Sequence, residues 1–455
     1  MSGRFLSQEP TTISRLRTEL AALVPLALPL IAGQLCAMGG GVVDTLLAGH
    51  LGRDILAAVA LGQSMWSLLM VGGSLGLMMS MQPSVAQLDG AGRRAEVWPV
   101  VQQGILLGAG AGVLLAIVQV VLAPILAASM GLPARLLPDV RAYLYASAAS
   151  LPAFGVLFAC RGASEGMSVT RPSMLSALAG LLMVPVVGYP LMYGLGPIPR
   201  LAAFGSGLTL SVVTTIQAIG MVVWMYRARR TYPGLDRSRG GWRPDRRTIG
   251  ALVRIGVPMG LMLAMEVGMF SASTLLIGRL GPVPVAAHSI ALNVTSLLYM
   301  VPLGLSMAVT VRVGRAVGEG DRRGTRIAGL AGYALVALTQ CVVVAINVLL
   351  GRPIAWLYTD DPSVVALTAT LLLCAALFSL SDGLQGVSAA ALRGMKDTRV
   401  PMLIAALAYW GIGLPCGAWL AIGCGYGAPG MWIGLTSGLS FAAVLLTVRF
   451  LRATG

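Results

Sequence analysis

The chain has 455 residues, of which 56% are hydrophobic and 11% charged, and its 32 Lys and Arg against 17 Asp and Glu leave a formal net charge of +15. Soluble domains carry about 25% charged residues, so a string of soluble domains is excluded: the long apolar stretches would have no polar face to turn to water. At roughly 20 apolar residues per crossing, the composition is that of a multi-pass membrane protein.

Twelve apolar runs follow in chain order, at residues 20–48, 55–87, 97–129, 138–160, 172–194, 201–226, 248–279, 283–316, 326–350, 363–392, 400–423 and 429–450. The polar start is followed by an apolar run too long for the core of a signal peptide and without an Ala-x-Ala site, so it is read as an uncleaved first span. Several runs exceed one crossing, which predicts tilt, protrusion or kinks at Pro25, Pro29, Pro258 and Pro302. Gly39, Gly40 and Gly41 each weaken a helix by about 1 kcal/mol relative to Ala, so a local kink or unwinding is expected there.

The cationic side chains orient the spans. The termini and the even-numbered links hold 25 of the 32 Lys and Arg, among them Arg93, Arg94, Arg161, Arg171, Arg315 and Arg393, while the opposite face holds six. By the positive-inside rule both termini are expected on the cytoplasmic side of the membrane. This placement accounts for the net charge without a nucleic-acid partner, because the basic runs flank spans and contain no aromatic stacking platform.

Catalysis and metal chemistry find little support. The six cysteines lie in or at the ends of apolar runs without paired spacing, and the chain has two histidines, one lysine and no phosphate-binding loop or zinc-protease motif. No enzyme activity and no cofactor are expected, and any pumping must draw on an ion gradient or a partner.

The sequence also repeats. TLLAGHLG at 45–52 returns as TLLIGRLG at 274–281, and the same offset of 229 relates Pro29 to Pro258, SLL at 67–69 to SLL at 296–298, and the arginine pairs ending at Arg94 and Arg323. A duplicated six-span unit leaves both halves with the same orientation. The expected architecture is an all-α integral membrane protein of twelve helices in two six-helix lobes related by a parallel repeat. Its parts are a tail at 1–19, an N-lobe at 20–226, a basic link at 227–247, a C-lobe at 248–450 and a tail at 451–455.

Three acidic residues, Asp44, Glu266 and Asp382, fall well inside apolar runs, whereas the other 14 lie in tails, links or near span ends. A charge at mid-bilayer costs about 2.5 to 3.5 kcal/mol on insertion scales, so such a carboxylate is expected to face a cavity, a partner or an ion path. The repeat does not preserve them, since an offset of 229 takes Asp44 to Ser273, Glu266 to Ala37 and Asp382 to Ala153. At helical spacing Phe378, Asp382 and Gln385 share one stripe, and Met262, Glu266, Phe270 and Ser273 another. Carboxylate and amide oxygens suit a small hard cation, and a carboxyl out of water can instead hold a proton. Methionines and aromatics such as Trp66, Phe270, Tyr299 and Phe378 suit an adaptable cavity, to which Gln34, His288 and Gln385 are added as candidates.

These residues sit in segments that resemble the multidrug and toxic compound extrusion (MATE) family, in its NorM-like bacterial branch: VDTLLAGHLG, PSVAQLDGAGRR, MEVGMF, the stretch from GPVPVAAHSIALNV to GEGDRRG, and SDGLQGVSAAALRGMKDTRVP. The resemblance spans nearly the whole chain. It implies a two-lobe, V-shaped inner-membrane antiporter, here expected to be a monomer, that exports organic, mostly cationic drugs in exchange for Na+ or H+. It also implies that Asp44 is the N-lobe acid and that Glu266 and Asp382 are the C-lobe acids and candidate Na+ ligands. The chain departs from the family pattern at Phe378, where an aromatic hydroxyl is common, and at MVPVVGYP (183–190), where an Asn-x-Pro-x-Asn element is common. A lipid-linked saccharide flippase of the related superfamily would need an arginine-lined cavity, and a lipid-modifying enzyme a catalytic constellation; the apolar runs show neither.

Overall fold

The computed structural model describes residues 12–129, 133, 135–197 and 199–455, so most of the expected N-terminal tail, Arg4 included, lies outside the described residues. Hydrocarbon offers no partner for a peptide group, and the chain answers with helices that satisfy their own backbone. Among the described residues these are α1 (Ile13–Leu51), α2 (Arg53–Gly90), α3 (Arg94–Ile125), α4 (Leu137–Ala148 with Ser150–Gly166), α5 (Arg171–Tyr193), α6 (Ala202–Arg227), α7 (Arg246–Gly278), α8 (Pro282–Gly318), α9 (Arg322–Trp356), α10 (Pro362–Gly394), α11 (Arg399–Gly423) and α12 (Gly427–Thr454). Eleven are long and apolar enough to cross a membrane unaided, and α4 makes a twelfth crossing as a pair bent by 41°. Asp245, Asp321 and Asp361 cap α7, α9 and α10 through their carboxylates. At Asp245, bonds from Thr248 and the Arg247 amide hold the carboxyl below its usual range.

Each half forms its own bundle. In the N-lobe α1 packs on α5, α3 on α4, and α6 on both α4 and α5; in the C-lobe α10 is central, against α8, α9 and α12. Gly52 and Gly281, which are 229 residues apart, make equivalent tight turns after α1 and α7, each in the left-handed region at φ 129° and 116°.

The lobes meet through crossed, repeat-related contacts: α1 lies on α8, α7 on α2, and α2 on α8. A methyl on Gly304 would stand 2.7 Å from the Ile31 amide nitrogen, and one on Gly76 would stand 2.0 Å from the Gly260 Cα. Ile31 and Gly260 keep the offset of 229, whereas Gly76 and Gly304 are 228 apart. The π-helical turn Met70–Leu75 in α2 explains the difference, because such a turn absorbs one extra residue.

The end that carries the basic links is tied across the lobes. Arg312 of α8 donates two bonds to Glu19 of α1 at 2.9 and 2.6 Å, Arg315 reaches Asp89 of α2 at 3.8 Å, and Gln87 donates to the Gly394 carbonyl at 2.8 Å. Here too glycines permit the approach, Gly90 against Arg315 and Gly318 against Gln87. The link after α6 is folded against the N-lobe. Arg237 donates to the Met225 carbonyl, Gln103 of α3 holds the backbone at Gly241, Arg243 and Asp245, and the Tyr232 hydroxyl, pushed up to about 12 by burial, pairs with Ser164 at 2.9 Å.

One expectation is corrected. The helix α1 runs without interruption through Gly39, Gly40 and Gly41. Gly39 and Gly40 face Leu181 and Val184 of α5, so their missing side chains admit a neighbouring helix, and that packing supports the turn they weaken. The irregular π-helical turns lie elsewhere, at Met70–Leu75, Leu407–Gly413 and Trp419–Gly423. Helical structure also continues past Pro25, Pro29, Pro258 and Pro302.

Two outcomes test this packing. A methyl on Gly434 would lie 2.1 Å from the Gly417 backbone, whereas nothing stands within 4 Å of one on Gly110. Gly434→Ala is therefore expected to cost about 1 to 3 kcal/mol, seen as a lower thermal midpoint of the detergent-solubilised protein, with Gly110→Ala unchanged. Arg312→Glu sets two acids together at the lobe tie and is expected to lengthen the distance between spin labels at Thr18 and Arg326. Combining it with Glu19→Arg should restore the short distance.

Candidate functional site

A cavity of approximately 470 Å³ lies mainly within the N-lobe, between α1, α2, α4, α5 and α6, with α7, α8 and the end of α10 closing one side. This is within the roughly 300 to 1,000 Å³ range of small-molecule sites. The direction of each helix sets its depth: Asp44 lies toward the far end of α1, while Glu165 of α4 and Arg393 of α10 lie at the end that carries the basic links. Much of the wall is apolar, with Trp66, Phe154, Phe158, Met70, Met78 and Met79 among its residues.

Asp44 borders this cavity. Ser206 of α6 donates to its Oδ2 at 2.7 Å, and its Oδ1 is buried with no hydrogen-bond partner among the described residues. Gln34, one face of α1 nearer the basic end, borders the same space, as does Trp66, whose indole donates to the Ser150 hydroxyl at 2.8 Å.

Glu266 sits where the lobes meet. It borders the large cavity and also a smaller one of approximately 70 Å³ in the C-lobe, together with Tyr299, Arg393, Gln385 and Ser306. Asp382, one turn before Gln385, borders a third void of approximately 10 Å³ with Tyr299, Thr295, Ser379, Gln340 and Asn347. Tyr299 thus borders all three spaces and connects the two C-lobe acids. Gln340 Oε1 and Asn347 Oδ1 of α9 are buried and accept no bond among the described residues. These two amides were not singled out in the sequence, although two lone polar residues seven apart in an apolar run share a helix face.

The structure moves three expected cavity residues into the C-lobe core. Phe378 is fully buried and meets Phe270 and Trp432 edge-on, at centroid distances of 5.8 and 5.5 Å. His288 is fully buried as well: the Trp432 indole donates to its Nδ1 at 3.1 Å, which leaves the Nε2 hydrogen for Thr274 at 3.1 Å. Each of these residues is satisfied by packing, and none borders the three cavities. The stripes on α7 and α10 were correct in spacing, but each is split, with Glu266 and Asp382 facing the cavities and Phe270 and Phe378 facing the core.

A further correction concerns charge at the basic end. Arg161 and Glu165, expected near a span end, lie inside α4, are 6% and 2% exposed, and border the large cavity. Arg393 joins them from α10, so the cavity contains arginines that the apolar runs alone did not show. The i, i+4 spacing of Arg161 and Glu165 was the available signal.

Comparison with known proteins agrees with this geometry. The sequence model of the MatE family matches twice, at residues 29–190 and 258–419, two segments related at both ends by the same offset of 229. The probable multidrug resistance protein NorM of Xanthomonas campestris pv. campestris is 42% identical over 442 residues, 97% of this chain and 96% of that protein. The multidrug resistance protein PmpM of Pseudomonas aeruginosa is 38% identical over 450 residues, 96% of this chain and 92% of that protein. Among solved structures, the Vibrio cholerae MATE transporter VcmN in its bent form superposes with a TM-score of 0.84 at 18% identity, covering 97% of this chain and 98% of that one. A MOP superfamily transporter from Pyrococcus furiosus gives 0.86 at 20% identity, covering 98% and 99%. With the repeat, the two six-helix lobes and full-length relatives all in accord, the chain belongs to the MatE family.

Proposed function

We propose that the chain is a multidrug efflux antiporter that carries amphipathic organic cations out of the cell by alternating access, in exchange for Na+ or H+. The observation that carries this reading is a drug-sized N-lobe cavity bordered by Asp44, which touches at Glu266 and Tyr299 a C-lobe set of acids in nearly closed spaces. The names of the full-length relatives support it. Methionine thioethers repack around varied ligands and aromatic faces attract cations, so one cavity serves many drugs.

Coupling needs an ion that binds the two conformations unequally, because equal binding shifts nothing. Glu266 and Asp382 are the proposed coupling acids, and Asp44 is a proton-sensitive or substrate-facing acid. Around Asp382 the oxygens of Gln340, Asn347, Thr295, Ser379 and Tyr299 suit a small hard cation and replace the hydroxyl missing at Phe378. A proton would need only the carboxyls. The lobe ties at the basic end would keep that side closed while the opposite side exchanges drug for ion. A saccharide flippase is favoured only by Arg161 and Arg393, and on this cavity three acids, Asp44, Glu165 and Glu266, face those two arginines.

Efflux from proteoliposomes under an imposed sodium gradient and, separately, a proton gradient tests the mechanism. Asp44→Asn, Glu266→Gln and Asp382→Asn are each expected to lose coupled ethidium efflux by tenfold or more while remaining monodisperse; efflux like wild type in all three would show the acids to be structural. The proposed location, with the termini and the link in the cytoplasm of an inner-membrane protein, rests on the 25-to-6 division of cationic residues. A cysteine placed at the exposed Ser238 should resist an impermeant maleimide on intact cells and react once they are permeabilised.

A further inference from the structure

Below the aromatic wall of the N-lobe cavity lies an ion pair that neither the coupling acids nor the lobe ties use. Residues Phe154, Phe158, Arg161 and Glu165 recur at four, three and four residues along α4, and all border the cavity. Phe154 meets Trp66 edge-on at 6.0 Å and stacks on Phe158 at 4.2 Å; the Arg161 guanidinium lies 5.1 Å from the Phe158 centroid. The pair itself is loose, with Arg161 Nε 3.8 Å from Glu165 Oε1, and both atoms are buried with no hydrogen-bond partner among the described residues. Gln82 donates to the other Glu165 oxygen at 3.2 Å, which holds that carboxylate toward α2.

We propose that Arg161 is the anion anchor of a zwitterion site: the cavity takes flat aromatic compounds with a carboxylate at one end and an ammonium at the other, the carboxylate on Arg161, the rings against Phe154 and Phe158, and the ammonium toward Asp44. This deepens the drug-export reading and rests on it. A guanidinium is suited to the task because its planar fork matches a carboxylate, and an orphaned buried donor gains a partner when such a group arrives. Helix α1 supplies a ruler. The Arg161 guanidinium lies beside Gly33, where its Nη2 is 3.8 Å from the position of a Cβ, and Asp44 is eleven residues further along the same unbroken helix. At about 1.5 Å per residue the two anchors stand roughly 16 Å apart along the axis, less the reach of each side chain. Compounds whose charges lie side by side would engage one anchor only.

The test compares the fluoroquinolone ciprofloxacin, a zwitterion with charges at opposite ends, with its ethyl ester, a cation of nearly the same shape. Affinities are measured by calorimetry on the purified full chain, and the readout is the ratio of acid Kd to ester Kd. In the wild type the acid is expected to bind at least as tightly as the ester; an ester bound tenfold more tightly overturns the proposal. Arg161→Gln is expected to raise the ratio by about tenfold, and Glu165→Gln, which removes the competing carboxylate, to lower it. Opposite shifts cannot come from general damage to the lobe. If Arg161→Gln fails to fold, the double variant Arg161→Gln with Glu165→Gln keeps a neutral, shape-matched pair and should also raise the ratio. An unchanged ratio in every variant that folds overturns the proposal and leaves drug export standing. If neither compound nor ethidium binds the wild type, the export reading fails with it.

Discussion

The cost of placing a charge in hydrocarbon, about 2.5 to 3.5 kcal/mol on insertion scales, governs the arrangement of this protein. Most of its cationic side chains stay at one end, where they tie the lobes and anchor the link, and the acids that enter the membrane do so only where a cavity or a partner receives them. The same cost makes those acids sensitive to what they face. In the proposed mechanism, a carboxylate that exchanges a cavity for a bound ion or proton would bias the balance between two conformations.

The contact between the lobes depends on small residues. At Gly76 with Gly260, at Gly304 with Ile31, and at Gly90 and Gly318, backbones meet directly, beside a shared core that takes Leu23, Leu26 and Leu30 from α1 and Leu305 and Val309 from α8. The ion pairs Glu19–Arg312 and Asp89–Arg315 add a polar latch between the lobes at the end that carries the basic links.

The halves share a scaffold and divide the chemistry. In the N-lobe the repeat unit opens into a roomy aromatic and methionine cavity; in the C-lobe the corresponding centre is filled by Phe270, Phe378, Trp432 and His288, leaving small spaces around Glu266 and Asp382. A large space suits a varied organic guest and a small oxygen-lined one suits an ion. The division follows from side-chain volume on a common backbone.

The sequence by itself determined the spans, the gathering of arginines at one end, the repeat and the three deep acids, because each is a one-dimensional signal: apolar length, the sidedness of arginine, a fixed offset, a charge in an apolar run. The family was legible for the same reason, in long matching segments. Tertiary structure alone decided the rest. Whether Phe378, Phe270 and His288 line a cavity or fill a core depends on how each helix is rotated against its neighbours, and Trp432, 144 residues from His288, supplies that context. Gln340 and Asn347 become part of the Asp382 site only because α9 packs on α10. Arg161 and Glu165 lie within a buried helix because α4 continues to Gly166 and is covered there, whereas apolar length places the end of that span near residue 160. Periodicity states which residues share a face; the packing of helices against one another decides what that face meets.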